Sequence, residues 1–225
     1  MENLSFYNVP SAYVNYLRDF ETNIRGFSHV PLVDYELHNR KGKFFCGIVL
    51  QINDHQYYVP VSSNIRNHQN TFYLYQRGRR ISSLRFDYMF PVPQEIISVY
   101  DLSKETDRNY VALVDEELSI CRSNAPIIRK MAFQTYIELA VPERNLTVER
   151  REHSCDFRLL EGACDIYRQE HGLMAEPLEP SVAMLRNQQP RTLDEIIASA
   201  TAKAEQINRQ TESVLPQKEK TVTHD

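Results

Sequence analysis

Residues 43–68, KFFCGIVLQINDHQYYVPVSSNIRNH, decide the fold that we expect for this chain. Two apolar runs, residues 44–52 and 56–61, flank the polar cluster Asn53-Asp54-His55, which is typical of a tight hairpin turn. The second run leads into residues 62–68, SSNIRNH, where hydroxyl groups, a guanidinium group and an imidazole follow one another closely. A rigid hairpin that ends in a polar loop commonly holds reactive groups in place. The alternative interpretation is a solvated connection between strands.

The segments around the hairpin predict further short strands and one early helix. Ser11 is expected to cap a helix over residues 12–20, which carry apolar side chains at helical spacing. Residues 21–42 mix Gly, Pro, Asn and charged residues and are expected to form a loop. Strands are expected at residues 4–9, 71–76, 81–91 and 95–102, with a turn at residues 77–79. This pattern is typical of a small, strongly bent antiparallel sheet or barrel.

The pattern changes from strands to helices in the second half of the chain. Apolar spacing predicts helices over residues 106–121, 127–141 and 155–170. Pro126 suits the first turn of the second of these helices. Strands followed by helices indicate an α+β fold.

The C-terminal part of the chain has a different composition. Four prolines fall between residues 177 and 216, and we expect residues 175–191 to be a linker. The capping box Thr192-Leu193-Asp194-Glu195 then predicts one helix with a thin apolar stripe, followed by a disordered tail. The expected organisation is therefore a domain over residues 1–174, the linker, and a C-terminal helical extension with its tail over residues 192–225.

Composition narrows the class of protein. The 225 residues suffice for one sizeable core. The four cysteines lack zinc-finger spacing, so no structural metal is expected, and Cys46 and Cys121 are expected to be buried thiols. No cofactor motif stands out. The sequence shows neither an export signal nor an apolar run of membrane-spanning length, which favours a cytoplasmic location.

Basic residues are concentrated although the formal net charge is −4. Arg77, Arg79 and Arg80 lie in one expected turn, and Arg85 follows shortly after. An acidic protein with a local basic patch can bind a polyanion at one face. A soluble β-turn is the alternative interpretation of residues 76–80.

Six motifs, in the same order over about residues 4–171, make the chain resemble the ToxN/AbiQ-like endoribonuclease toxins of type III toxin–antitoxin systems. The first is an N-terminal tyrosine-rich motif that includes Phe6, Tyr7 and Tyr13. The others are KFFCGIVL at 43–50, YVPVSS at 58–63, FDYMFP at 86–91, a helical segment that ends in Arg122-x-Asn124, and CDFRLLE at 155–161.

The chain departs from the family at one position of the polar loop. The family usually carries a lysine two positions after its active-site serine, but Ile65 stands there, with Arg66 beside it. Either Arg66 supplies the missing charge or the chemistry of the loop is weakened.

The resemblance implies a Kid/MazF-like sheet and an activity on RNA. Such toxins cleave single-stranded RNA at specific sequences without a metal ion and leave a 2′,3′-cyclic phosphate. The resemblance further implies a tandem-repeat RNA antitoxin with a pseudoknot-like fold, which the toxin processes and with which it forms a closed ring. By the same resemblance, cleavage of cellular or phage RNA would inhibit growth and provide defence against phage.

The resemblance also suggests catalytic residues. The 2′-hydroxyl group is the nucleophile of this reaction, so Ser63 is expected to hydrogen-bond the scissile phosphate and Lys43 to stabilise its charge. Arg66 is expected to clamp the phosphate, and His68 to act as an acid or base. The alternatives are a turn-capping serine, an exposed lysine at the start of a strand, and a solvated histidine.

RNA recognition would use stacking and contacts to base edges and phosphates. The aromatic candidates are Tyr7, Tyr13 and Tyr110, although many of the 13 tyrosines are expected in the core. The polar candidates are Ser62, Arg79, Arg80, Arg122 and Asn124.

Two other functional classes remain open from the sequence. A non-catalytic RNA-binding module would use the sheet only as a platform, and Ile65 in place of the expected lysine favours it. A protein-interaction domain would use the helix expected over residues 192–214.

Overall fold

A seven-stranded antiparallel sheet organises the protein in the computed structural model, which describes residues 3–33, 43–103, 105–140 and 148–173. The expected linker and C-terminal extension lie outside the described residues. The strands are β1 (Ser5–Asn8), β2 (Phe45–Ile52), β3 (His55–Ser62), β4 (Thr71–Gln76), β5 (Arg79–Arg85), β6 (Phe90–Pro91) and β7 (Ser98–Val99). The α+β class expected from the sequence is confirmed.

The central hairpin forms as the sequence predicts. β2 and β3 pair antiparallel, with Ile52 opposite His55 beside the turn, and the register shifts between Leu50 and Cys46. Asn53 and Asp54 form the turn with φ values of 49° and 60°, a conformation that Asn and Asp tolerate better than most residues. His55 is therefore the first residue of β3 rather than a residue of the turn.

The sheet is open, so the barrel that the strand pattern also allowed is wrong. The strand order is β4-β5-β3-β2-β1-β7, and β6 pairs with β3 beside this path. The first half of β3 pairs with β6, through Tyr58 opposite Phe90, whereas its end pairs with β5, through Ser62 opposite Ser83. β3 therefore changes partner along its length, and β4 and β7 lie at opposite ends of the strand order.

The two long strands expected over residues 81–91 and 95–102 are also wrong. A 3₁₀ turn, Phe86–Tyr88, separates β5 from β6 and moves the chain from one half of β3 to the other. A second 3₁₀ turn, Gln94–Ile96, precedes the two-residue strand β7. Alternation of apolar residues cannot reveal such a change of partner.

The helices cover the sheet and close the core. They are α1 (Ser11–Arg25), α2 (Arg108–Ser123), α3 (Ala125–Ala140), α4 (Val148–Glu152) and α5 (Phe157–Glu170). Pro10, not Ser11, precedes the first turn of α1, and no side chain caps it. Asp107 and Asp156 cap α2 and α5 by accepting hydrogen bonds from backbone N–H groups of the first turn.

α1 is one turn longer than its apolar pattern predicts. Glu21 is fully buried, and its carboxylate accepts a hydrogen bond from Arg25 Nη1 at 2.6 Å, one turn later. The helix ends at Gly26, whose φ of 82° suits glycine. The segment after Gly26 runs to the ends of β3 and β5, where the candidate site lies.

Candidate active site

A cleft of about 310 Å³ opens where the segment after α1 meets the ends of strands β3 and β5. Residues 28–32 belong to the lining, and so does Lys43, which lies two residues before β2. The polar side chains of the lining are Arg18, Ser28, His29, Lys43, Ser62, Arg85 and Tyr88. Three of these are cationic, and none of the described lining residues carries a carboxylate. The cleft is therefore suited to an anion.

Lys43 occupies this cleft, as the functional prediction requires. Its side chain is half-buried. Burial and, second, the nearby charge of Arg85 lower the pKa of its ammonium group. A desolvated ammonium beside another cation is stabilised when a phosphate enters, because the anion offsets both effects.

Arg85 is a cation of the cleft that no sequence motif indicates as a site residue. Its Nη2 donates a hydrogen bond to the Tyr88 hydroxyl at 2.8 Å, and its guanidinium carbon lies 4.0 Å from the centre of the Tyr88 ring. The buried Nε has no hydrogen-bond partner among the described residues. Since Arg85 is the last residue of β5, which pairs with the end of β3, strand register could have placed it beside the polar loop.

The two consecutive serines at the end of β3 and the start of the following loop lie in different surroundings. Ser62 ends β3 and lines the cleft, and its Oγ accepts a hydrogen bond from the backbone N–H of Asn64 at 3.1 Å. Ser63 is exposed and is not among the lining residues. The role of Ser63 therefore stays a prediction, while Ser62, expected only to bind RNA, lies in the lining itself.

The loop formed by residues 63–68, here called the polar loop, is fixed by side chains of the β4–β5 hairpin. The Tyr73 hydroxyl accepts a hydrogen bond from the His68 N–H at 2.7 Å and donates one to the Arg66 carbonyl at 2.8 Å. Arg80 Nη1 donates to the Ile65 carbonyl at 3.2 Å. Ser83 Oγ donates to the Asn64 carbonyl at 2.6 Å. The polar loop is thus held by its backbone, so its side chains can face solvent.

Arg66 and His68 are exposed and do not line the cleft. The pKa of His68 is lowered, first by its slight burial and then by the positive charges of Arg85 and Arg66. Ile65 is also exposed, with 43% of its surface accessible, and does not pack inward as its apolar character suggests. The polar loop therefore presents its side chains beside the cleft rather than inside it.

Tyr13 is unsuited to the predicted stacking role. Its ring is fully buried, and its hydroxyl donates a hydrogen bond to the Pro91 carbonyl at 2.8 Å. Tyr7 is half-buried with its ring edge-on to Tyr58 at 5.3 Å. Tyr110 is half-buried, and burial together with its 3.0 Å hydrogen bond to the Tyr100 hydroxyl raises its pKa. The motif tyrosines thus serve the core and its edge.

The polar candidates for RNA binding lie outside the cleft, apart from Ser62. Arg122 is exposed, and its Nε donates to the Leu4 carbonyl at 2.9 Å. Asn124 Nδ2 donates to the Ile120 carbonyl at the end of α2. Arg79 is exposed at the β4–β5 turn, and Arg80 binds the polar loop. Arg80 therefore lies beside the polar loop, Arg122 connects α2 to the residue before β1, and Asn124 closes the end of α2.

Neither a metal site nor a membrane span is found within the described ranges. Among those residues, no group of three or more His, Cys, Asp or Glu side chains could hold a metal ion. All four cysteines are buried free thiols, as expected for Cys46 and Cys121. No helix in the described part of the chain is long and apolar enough to cross a membrane.

Comparisons with known proteins give the chain a family. Residues 5–165 match the family described as toxin ToxN of type III toxin–antitoxin systems. The endoribonuclease ToxN of Pectobacterium atrosepticum is 25% identical over 169 residues, which are 70% of this chain and 90% of that protein. The endoribonuclease AbiQ of Lactococcus lactis is 25% identical over 180 residues, or 73% of this chain and 89% of that protein.

Solved structures show the same fold. One is a type III toxin–antitoxin structure concerned with selective toxin inhibition by a non-coding RNA pseudoknot. It has a TM-score of 0.64 and 24% identity, covering 75% of this chain and 99% of the other. Another is the lactococcal anti-phage endoribonuclease AbiQ, with a TM-score of 0.61, 24% identity and the same coverage. The chain therefore belongs to the ToxN family of type III toxin–antitoxin toxins.

Proposed function

We propose that this protein is a sequence-specific endoribonuclease toxin that cleaves single-stranded RNA in the cleft between Lys43 and Arg85. The observation that carries the proposal is the lining itself: three cations, three hydroxyl groups and no carboxylate among its described residues. The named relatives ToxN and AbiQ are endoribonucleases, which supports the same activity here.

The cleavage proceeds by attack of the RNA on itself. The 2′-hydroxyl group attacks the adjacent phosphorus, the bond to the 5′-oxygen breaks, and the products carry a 2′,3′-cyclic phosphate and a 5′-hydroxyl group. The reaction needs stabilisation of the extra negative charge on the phosphate rather than a protein nucleophile. Side chains of this cleft provide that stabilisation, so we propose that no metal ion is required.

Lys43 and Arg85 act as the cationic clamp on the scissile phosphate. Arg85 presents a guanidinium fork, one N–H of which is already anchored on Tyr88. Arginine binds phosphate oxygens through two N–H groups, which fixes the orientation of the phosphate as well as its position. This assignment moves the cation expected at position 65 or 66 to the neighbouring strand. Arg66 then binds a phosphate outside the cleft.

Ser62 and Ser63 donate hydrogen bonds to the same phosphate. Ser62 faces the cleft, and Ser63 follows it on the polar loop that Tyr73 and Arg80 hold. Arg79 and the remaining loop side chains bind the flanking nucleotides. His68 stays a candidate acid or base, from outside the lining.

The partner is an RNA antitoxin made of tandem repeats that fold as pseudoknots. A related type III toxin is selectively inhibited by a non-coding RNA pseudoknot, which supports this partner. We propose that the toxin processes the repeat RNA and is inhibited within a closed toxin–RNA ring. Once it is released in the cytoplasm, the toxin cleaves cellular or phage RNA. This cleavage stops growth and limits the multiplication of phage.

Purified protein and a long transcript of mixed sequence test the activity. In the presence of EDTA the protein is expected to cut the transcript and to leave 2′,3′-cyclic phosphate ends. Lys43→Ala and Arg85→Ala are each expected to slow cleavage about a hundredfold or more, the usual cost of removing one transition-state donor. Lys130→Ala and Arg108→Ala, at exposed helix positions, are matched controls that should keep the wild-type rate.

A non-catalytic RNA-binding module is the second candidate. The exposed Ile65 favours it, because the polar loop carries an apolar side chain where the family usually has a lysine. This candidate predicts tight, salt-sensitive RNA binding with no cleavage products. Binding without any new RNA ends, under conditions in which the protein is folded, would reject the endoribonuclease proposal.

A further inference from the structure

His29 is the one imidazole among the described residues that line the cleft. The segment that carries His29 is expected from the sequence to be a loop, and no motif singles out its histidine. It shares the cleft with Lys43, Ser62 and Arg85, the groups proposed above to hold the phosphate. An imidazole is the side chain whose ordinary pKa lies nearest to neutral, so its place beside a phosphate cleft calls for an explanation.

The backbone of His29 is fixed by a buried carboxylate. Glu21 Oε2 accepts a hydrogen bond from the His29 N–H at 2.9 Å and another from Ser28 Oγ at 2.7 Å. The other oxygen, Oε1, accepts from Arg25 Nη1 and from the Asp156 N–H. Glu21 therefore joins α1, α5 and the rim of the cleft, and acts as a positioning residue for His29.

The ring of His29 is also fixed, in both its plane and its tautomer. It lies parallel to the Tyr88 ring, with 5.9 Å between centres and 9° between planes. The His29 ring is also stacked on the His153 ring, with 6.3 Å between centres and 20° between planes. Its Nε2 donates a hydrogen bond to the carbonyl oxygen of Glu152. Because a carbonyl oxygen can only accept, the proton of the neutral ring lies on Nε2, and Nδ1 keeps a lone pair.

Tyr88 connects this ring to the phosphate clamp. The same tyrosine stacks on His29 and accepts the hydrogen bond from Arg85 Nη2. A phosphate held by Arg85 therefore lies beside a residue that sets the position of the His29 ring. His68, by contrast, is exposed and lies outside the lining, and its backbone N–H donates a hydrogen bond to the Tyr73 hydroxyl.

We propose that His29 is the general base of the RNA cleavage, an inference that rests on the function proposed above. Nδ1 takes the proton of the attacking 2′-hydroxyl group while the 2′-oxygen forms its bond to phosphorus. The bond from phosphorus to the 5′-oxygen breaks, and that oxygen takes a proton from the Lys43 ammonium group. The proton gained by His29 and the one lost by Lys43 then exchange with solvent, which returns both groups to their starting states.

The charges around Lys43 favour its part in this step. Burial and the charge of Arg85 lower the pKa of its ammonium group in the free protein. A bound phosphate offsets part of this effect, and Lys43 keeps its fixed place in the same cleft as His29 and Arg85. The titratable and charged groups around His29 come from several elements of the fold. They are Arg18, Glu21 and Arg25 of α1, Lys43 before β2, Arg85 of β5, Tyr88, and His153 after α4.

The test measures single-turnover cleavage of a long mixed-sequence transcript in EDTA, together with binding of a 2′-fluoro copy that cannot react. His29→Ala is expected to lower the rate about a hundredfold or more, with binding of the 2′-fluoro RNA unchanged. Free imidazole in the buffer is expected to restore part of the His29→Ala rate, since removal of the ring leaves room for it. His29→Phe keeps an aromatic ring for the stack but cannot take a proton, so it is expected to be equally slow.

His171→Ala is the matched control, because His171 is exposed at the end of α5 and outside the cleft. It is expected to cleave at the wild-type rate with or without imidazole. Wild-type rates in His29→Ala or His29→Phe would overturn the proposal, as would a slow His29→Ala enzyme that imidazole does not restore. Imidazole rescue of His68→Ala instead of His29→Ala would move the base to His68. If the wild-type protein cleaves no RNA, the proposed function itself fails.

Discussion

The guanidinium group of Arg80 lies 4.1 Å from the centre of the Tyr73 ring, and both side chains bind the backbone of the polar loop. A stacked arginine and a tyrosine hydroxyl thus fix one short segment from the same side. Three of the loop's backbone groups, on Ile65, Arg66 and His68, take part. Tyr73 and Arg80 together therefore hold the polar loop, which carries Ser63, in one position.

Removal of the Tyr73 hydroxyl is expected to loosen the polar loop without disturbing the sheet. Tyr73→Phe keeps the ring under Arg80 but loses the hydrogen bonds to Arg66 and His68. We expect RNA cleavage to slow about tenfold, since a misplaced donor loses part of its effect on the transition state. Single-turnover cleavage measures the rate, and thermal unfolding should show little change.

Tyr75→Phe is the control for this variant. Tyr75 neighbours Arg80 and is exposed, but its hydroxyl contacts only the Arg80 side chain among the hydrogen bonds found for the described residues. It is expected to cleave at a rate close to that of the wild type. Equal cleavage rates for Tyr73→Phe and the wild type would show that the hydrogen bonds from Tyr73 to the polar loop do not matter for catalysis.

Gly47 is expected to be needed for full stability because the ring of Tyr58 packs against it. A Cβ atom at this position would lie 2.2 Å from Cδ1 of the fully buried Tyr58. Gly47→Ala must therefore displace the ring or the strand, and we expect a loss of about 1–3 kcal/mol in the free energy of unfolding. Urea unfolding measures the loss.

A second substitution tests this cause. In Gly47→Ala with Tyr58→Leu, the smaller side chain leaves space for the new methyl group. The double variant is expected to lose less stability than the two single losses together. Strict additivity of the two changes would contradict the contact as the reason for the glycine.

The hairpin could be predicted from the sequence because its signals are local. Strand alternation and the Asn53-Asp54 turn fix it without knowledge of the rest of the chain. The break in the strand after Arg85 could not be predicted, since it depends on β3 having two different partners.

The residues of the candidate site also differ in whether local sequence signals reveal them. Lys43 and Ser62 follow from the hairpin, whereas His29 reaches the cleft through the buried carboxylate of Glu21, which no local pattern reveals.

The last residue of the CDFRLLE segment, Glu161, belongs to a buried hydrogen-bond network in the core. Glu161 is buried, and its Oε1 accepts hydrogen bonds from the Tyr57 hydroxyl at 2.9 Å and the Tyr136 hydroxyl at 2.8 Å. Arg158 Nη1 lies 3.1 Å from the other oxygen. Glu161→Ala removes the acceptor of both hydroxyl groups. The Tyr57 hydroxyl keeps only a 3.5 Å contact with the Phe157 carbonyl, and the Tyr136 hydroxyl keeps the hydrogen bond donated by Asn53. We therefore expect a loss of about 3 kcal/mol in the free energy of unfolding. Denaturant unfolding measures it.

Tyr57→Phe is the milder comparison for the same network. It removes one donor and leaves Glu161 bound by Tyr136 and Arg158. We expect it to cost about 1 kcal/mol. A Glu161→Ala protein as stable as Tyr57→Phe would show that the carboxylate contributes little beyond that one bond.

His55 is expected to make the stability of the protein depend on pH. Burial alone would lower its pKa, but the hydrogen bond and charge of Asp165, together with the charge of Glu161, outweigh burial and raise it. Nε2 of His55 lies 2.9 Å from Asp165 Oδ1. A pKa that is higher in the folded state means that the folded protein holds the proton more tightly. The stabilisation from the His55–Asp165 pair is therefore complete below the unfolded-state pKa of about 6.5 and is lost as the pH rises through the folded-state pKa of His55.

Asp165→Asn tests this pair because it removes the charge of the carboxylate. The free energy of unfolding of the variant should fall short of the wild-type value at acidic pH and approach it at alkaline pH. Urea unfolding across this range checks the trend, and a wild-type-to-variant difference that does not change with pH would refute the pair as its source.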